Sequence, residues 1–187
     1  MRASFKPLAV TMGDPGGIGP DVALLAWKER IKRELPPFYL LADPAFLASR
    51  ATLLGLDVAI AEVAPGEALE AWNEHLPVVP LGMSVPDRPG IADPATAAAV
   101  IASIDRAVAD TQAGLAAGLV TNPIQKKALY DAGFTHPGHT EYLGELARRS
   151  GAQDATPVML LAGPDLLVVP VTVHIPLHNV PKMLTTG

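Results

Sequence analysis

The sequence predicts an α/β fold built on a mostly parallel sheet covered by helices on both faces. Three observations carry that expectation. Short aliphatic runs alternate with longer helical patterns. Glycine and proline mark the junctions between them. Asp-Pro pairs at Asp43-Pro44 and Asp93-Pro94 read as helix starts, an N-cap carboxylate followed by a proline whose fixed φ suits the first turn.

Taken in order, Leu8–Met12 reads as a buried strand ending at a glycine loop, Gly13-Asp14-Pro15-Gly16-Gly17-Ile18-Gly19-Pro20. A helix is expected from Pro20 to about Leu35, with Val22, Leu25, Ala26 and Ile31 on its apolar face and Pro36-Pro37 as its stop. Phe38–Ala42 is the next strand. Asp43 opens a helix to about Leu54, and Asp93 launches an alanine-rich helix closed by Gly114. The proline-rich stretch 64–89 is expected to hold short strands and loops. Gly118–Thr121 is a strand leading to Lys126, and helices are expected from Gln125 to Ala132 and from Thr140 to about Ser150. Val158–Ala162 and Leu166–His174 read as strands of an antiparallel hairpin turning at Gly163-Pro164-Asp165.

Composition narrows the function classes. The 187 residues carry a formal net charge of −5 and no basic run, which argues against nucleic acid as a partner. About half of the residues are hydrophobic, enough for a sizeable core. There are no cysteines, which excludes disulfides and thiolate metal sites. The longest apolar runs are interrupted well short of a membrane span, and the first residues lack a signal-peptide pattern. A soluble, cytoplasmic protein is the expectation.

Three junctions carry chemistry. The glycine loop follows a strand and precedes a helix, as an anion-cradling loop does, but its spacing fits neither the dinucleotide fingerprint nor the P-loop. Asp14 at its tip can hold a substrate hydroxyl or fix the turn. The second junction joins Thr121-Asn122-Pro123-Ile124-Gln125-Lys126 to Pro137-Gly138-His139-Thr140. Helix starts carry unpaired N–H groups and partial positive charge. His139, Thr140 and Lys126 added there make a phosphate or carboxylate pocket. Thr140 also reads as a plain N-cap, and the two roles are compatible. The third is His174: strand parity points it away from the face of Val169, Val171, Val173 and Ile175. Pro176 separates it from His178, so the pair does not read as one helical metal site.

At these residues the chain resembles the 4-hydroxythreonine-4-phosphate dehydrogenase family. Four motifs carry the resemblance in order: Met12–Pro20, Thr121–Lys126, Gly138-His139-Thr140-Glu141-Tyr142-Leu143, and Val173-His174-Ile175-Pro176-Leu177. The resemblance implies an isocitrate/isopropylmalate-dehydrogenase-like α/β/α fold, here its N-terminal portion. A first domain over 1–120 and the start of a second over 121–187 are expected. It implies oxidation, with decarboxylation, of 4-phosphohydroxy-L-threonine in vitamin B6 (pyridoxal 5'-phosphate) biosynthesis. The cofactors would be NAD or NADP and a divalent metal (zinc, magnesium or cobalt), and the assembly a homodimer sharing its active sites. His139 and Thr140 fall on the family's substrate-binding pair; Asp14 is added as a substrate contact from its place in the glycine loop, not from the resemblance. His174 falls on the first of three metal histidines, and Lys126 on a lysine near the cleft, taken as a catalytic, electrostatic contributor. Phosphothreonate, phosphoerythronate or dihydrodiol-acid dehydrogenases share these motifs. A non-catalytic chain binding an anion or a partner is the alternative from another class. Taken alone, the 187 residues are expected to be inactive and at least dimeric.

Overall fold

A computed structural model describes residues 5–151, 156–172 and 175–184. Its centre is a five-stranded, wholly parallel sheet of β1 (Leu8–Thr11), β2 (Phe38–Ala42), β3 (Ile60–Glu62), β4 (Leu76–Pro80) and β5 (Gly118–Val120). The spatial order is β3-β4-β2-β1-β5. The helices are α1 (Gly19–Lys28), α2 (Pro44–Leu53), α3 (Ala68–Ala71), α4 (Ala97–Gln112), α5 (Lys126–Asp131), α6 (His139–Arg149) and α7 (Val180–Met183).

Side-chain alternation divides the core into two layers. Val10, Phe38, Leu40, Ala42 and Val78 face α1 and α2, where Leu24, Trp27, Phe46 and Leu47 complete the packing. Ala9, Tyr39, Leu41 and Val79 face the other way, against Ala68 and Ala107. Both faces of the central strands are therefore covered, as a parallel sheet requires. The two Asp-Pro starts form as expected: Asp43 and Asp93 each accept the N–H two residues on, at 2.9 Å.

Several elements differ from the sequence expectation, each for a physical reason. α1 ends at Lys28 rather than near Leu35. The Trp27 carbonyl accepts Arg30's backbone N–H at 3.2 Å and its guanidinium at 3.0 Å, which ends the regular ladder. The Arg30 guanidinium lies 3.8 Å from the Trp27 ring centre. β4 is a buried central strand despite Pro77 and Pro80. Its ladder with β2 begins at Leu40↔Val78 and ends at Ala42↔Pro80, so the prolines flank or close the paired run. The hairpin is antiparallel, but its strands shrink to Leu161–Ala162 (β6) and Leu167–Val168 (β7). Leu160, Leu161, Leu166 and Leu167 are all exposed, so no packing extends the pairing.

One polar group ties α2 to the glycine loop. Arg50 is 1% exposed. It donates to the Pro15 carbonyl at 2.6 Å, to Asp21 at 2.6 Å and to Asp87 at 2.8 Å. Burial works against its charge, but the hydrogen bonds to Asp21 and Asp87 outweigh burial and hold the guanidinium above its ordinary value. Removing one partner of a buried pair strands the other, so Arg50→Met is expected to destabilise the chain by about 3–5 kcal/mol. Asp21→Asn, at a carboxylate 30% exposed, is expected to have a smaller effect. Urea unfolding midpoints at constant m-value check both.

Candidate functional site

The sheet order places β1 between β2 and β5. The chain leaves β1 on one side and returns, after α4, on the other. The carboxyl ends of β1 and β5 thus flank the point where strand order reverses, the position where open α/β sheets bind ligands. The glycine loop leaves β1 there and the Asn122–Lys126 segment leaves β5. The fold brings the first two sequence junctions together.

Their contact is close and specific. The Asn122 backbone N–H donates to Thr11 Oγ1 at 3.0 Å, and its amide donates to the Thr11 carbonyl at 2.9 Å. Asp14 N–H donates to the Pro123 carbonyl at 2.9 Å. Gly13 has φ 72°, and a Cβ there would lie 2.6 Å from Asn122 Cβ, so both backbone and space demand glycine. The next residue back is fixed from α4: Met12 N–H donates to Ser103 Oγ at 2.8 Å, and Ser103 donates to the Leu41 carbonyl at 2.9 Å. Asp14 Oδ1 accepts the Gly16 N–H at 3.1 Å, fixing the turn. The Asp14 side chain also lines an open crevice with Gly17, Ile18, Pro123 and Gln125.

Beyond this crevice the chain enters α5, capped by Gln125, whose side chain accepts the Lys127 N–H at 3.0 Å. Lys126 and Lys127 then diverge. Lys127 pairs with Asp131 at 2.6 Å. Lys126 makes no ion pair within 4.0 Å among the described residues, and turns toward the start of α6. A Cβ on Gly138 would lie 3.8 Å from Lys126 Nζ and 3.4 Å from Glu141 Oε2. Gly138 is extended, at φ −177°, so its small size matters here for room rather than for backbone freedom.

His139 is the first residue of α6, and the N-cap is Gly138, which offers no side-chain acceptor to the helix N–H groups. The expectation that Thr140 caps this helix is corrected. Thr140 is the second helical residue, is exposed, and borders a groove with Leu143, Gly144 and Ala147 beside residues 156–158. His139 is half-buried, and its Nε2 is buried without a hydrogen-bond partner among the described residues. Burial and, after it, the Lys126 charge hold its imidazole below the ordinary value. His139 and Lys126 are therefore brought together, with Asp14 on the other side of the Gln125 turn.

His174 lies outside the described residues. Among the described residues no three His, Asp or Glu side chains form a group that could hold a metal ion. No helix there is long and apolar enough to cross a membrane. Sequence reasoning missed Arg50, Ser103 and Asp87. Arg50 had a usable signal, since it follows Phe46 and Leu47 at the i+4 and i+3 spacing of one buried helix stripe.

Comparison with known proteins identifies the lineage. The family model described as pyridoxal phosphate biosynthetic protein PdxA matches residues 34–187. The chain is 49% identical over 187 residues to a 4-hydroxythreonine-4-phosphate dehydrogenase of Methylorubrum extorquens, covering 99% of this chain and 54% of that protein. It is 48% identical to the Bradyrhizobium diazoefficiens protein of the same name, covering 97% of this chain and 54% of that one. A crystal structure of a 4-hydroxythreonine-4-phosphate dehydrogenase from Burkholderia phymatum superposes with TM-score 0.81 at 26% identity, over 96% of this chain and 54% of that chain. The chain spans about half the length of the curated relatives it matches. It belongs to the PdxA family.

The depressed titration of His139 has a consequence for stability. Its ordinary value is 6.5 and the folded value is lower, so the unfolded chain binds the proton more tightly. Its contribution is fully present above 6.5 and is lost as pH falls from 6.5 through the folded value. Unfolding midpoints measured from about pH 8 to pH 5 are expected to fall less steeply in His139→Gln than in the parent chain.

Proposed function

We propose that this member of the PdxA family serves the oxidation, with decarboxylation, of 4-phosphohydroxy-L-threonine in pyridoxal phosphate synthesis, with NAD or NADP and a divalent metal. In this reading the protein works in the cytoplasm as a homodimer, and the residues from 121 onward begin a second α/β domain. One observation carries it: a buried His139 Nε2, without a partner among the described residues, near the Lys126 ammonium at a helix start with no side-chain cap. The names of the relatives supply the substrate class.

The roles follow from the chemistry of each group. Lys126 supplies a positive charge at the entrance of α6, and His139 supplies a nitrogen already withdrawn from water. The first N–H groups of α6 add partial positive charge on the same side. Together they seat the substrate's anionic end. Asp14, across the Gln125 turn, takes the polar hydroxyl or ammonium end. Thr140 contributes from the α6 wall. The nicotinamide, when bound, accepts the hydride. His174 is proposed as a metal ligand on the resemblance alone; the described residues do not by themselves make a metal site, and no step is drawn through one.

Calorimetric titration with 4-phosphohydroxythreonine tests the reading. Charge-assisted hydrogen bonds contribute about 1.5–3 kcal/mol each, so His139→Ala and Lys126→Ala are each expected to weaken binding by about tenfold or more. Lys127→Ala, at a lysine already paired with Asp131, is expected to change little. No binding to the parent chain, or equal effects of the two lysine substitutions, would overturn the assignment.

A further inference from the structure

His139 sits on α6 and Lys126 on α5, so their meeting depends on how α6 is held. The answer lies one turn into the helix. Tyr142 and Gly144 are the only residues of α6 that are buried. Tyr142 follows His139 by three positions, which places the two on neighbouring parts of one helix face. Its ring meets Phe134 at a centroid distance of 5.1 Å and His136 at 4.9 Å, and those two rings lie 5.2 Å from each other. Phe134 and His136 belong to the connection between α5 and α6. The Tyr142 hydroxyl donates to Asp105 on α4. From the α5 side, the Phe134 N–H donates to the Leu129 carbonyl at 2.9 Å, and Tyr130 donates to the Pro137 carbonyl at 3.2 Å.

We propose that Tyr142 is a positioning residue: its ring, wedged on Phe134 and His136, and its hydroxyl, fixed to Asp105, hold the start of α6 so that His139 stays beside Lys126. The proposal rests on the reading of His139 and Lys126 as an anion seat only for its functional consequence. The geometry stands without it. Two attachments define the pose. The aromatic wedge sets the distance between α5 and α6, and the bond to α4 sets the roll of α6 about its axis. A ring without the hydroxyl keeps the first and loses the second. The charge that acts on His139 is Lys126 from α5; Glu141 from the first turn of α6 reaches the same Gly138 corner, and His136 from the connection stacks on Tyr142, whose hydroxyl bonds Asp105.

The imidazole itself reports the pose. The His139 ring is followed by NMR through a pH titration and assigned by its loss in His139→Gln. In Tyr142→Phe and Asp105→Ala, its midpoint is expected to rise toward the ordinary value as the ring leaves its buried place beside Lys126. Asp105→Asn keeps an acceptor for the hydroxyl and is expected to restore the parental midpoint. Asp105 is itself exposed, so Asp105→Ala reports even where the Tyr142 variant does not fold. In parallel, 4-phosphohydroxythreonine is expected to bind the two disrupting variants about threefold to tenfold more weakly. A His139 midpoint unmoved in both disrupting variants, or moved equally by Asp105→Asn, would overturn the positioning role. Failure of the parent chain to bind the phosphorylated ligand, with the midpoint still moving as described, would overturn the anion reading and leave the positioning role supported.

Discussion

A single buried guanidinium organises the end of the sheet where the site lies. Arg50 has its carbon stem in the α2 packing layer, near the Phe46 ring, and its head among loop carbonyls and two carboxylates. A glycine-rich loop has few side chains with which to fix itself, and its backbone carbonyls need donors once buried. Arg50 supplies them from a neighbouring helix, while Asp21 and Asp87 balance the charge. With Pro15 pinned, Asp14 projects toward Pro123, and the Asn122 segment packs on Gly13 and Thr11. The crevice between β1 and β5 is thus bounded by a loop held from α2 by this ion cluster, within itself by Asp14, and from β5 by the Asn122 segment.

Much of this was legible in the sequence, and the reasons for the remainder are specific. The Asp-Pro starts, the buried strands β1 and β2 and the parallel sheet follow from local rules that tertiary packing did not override. β4 was obscured because Pro77 and Pro80 argue against a central strand unless the register is known. The end of α1 depends on Arg30 reaching the Trp27 carbonyl and ring, a choice between rotamers that no periodicity encodes. At the candidate site, His139 and Lys126 were marked by their places at helix starts. Thr140 was marked for the same reason, but the cap fell two residues earlier, at Gly138, where Lys126 needs the room. The Arg50 cluster joins residues 15, 21, 50 and 87, and such long-range polar partners leave only a misplaced charge on an apolar stripe as their trace.

The two regions after α6 and before it differ in how they are held. The sheet and α4 form a layered core in which polar groups such as Ser103 and Asp110 are bonded within the fold, the latter accepting from Tyr39 at 2.8 Å. The β6–β7 hairpin has aliphatic side chains exposed on both of its faces, including Leu160, Leu161, Leu167 and Val169. Two-stranded hairpins are marginal by themselves, and these exposed aliphatic side chains add little packing to this one. The Pro157 end is tied to α6, where its ring packs so closely on Gly144 that a Cβ there would come within 2.7 Å.

The surroundings of α6 push two of its groups in opposite directions, His139 below its ordinary value and Tyr142 above. A half-buried imidazole near an ammonium favours the neutral form, because burial penalises its charge and protonation would add a second cation near Lys126. In the proposed anion seat a negative charge would oppose that balance, favouring a proton on His139 as well as the charge on Lys126. The anchor behind it does not take part. Burial, together with the bond to Asp105 and its charge, pushes the Tyr142 phenol above its ordinary value, so it remains a hydrogen-bond donor wherever His139 titrates. The imidazole that titrates is in this way carried on the same helix as a phenol that stays protonated over the same range.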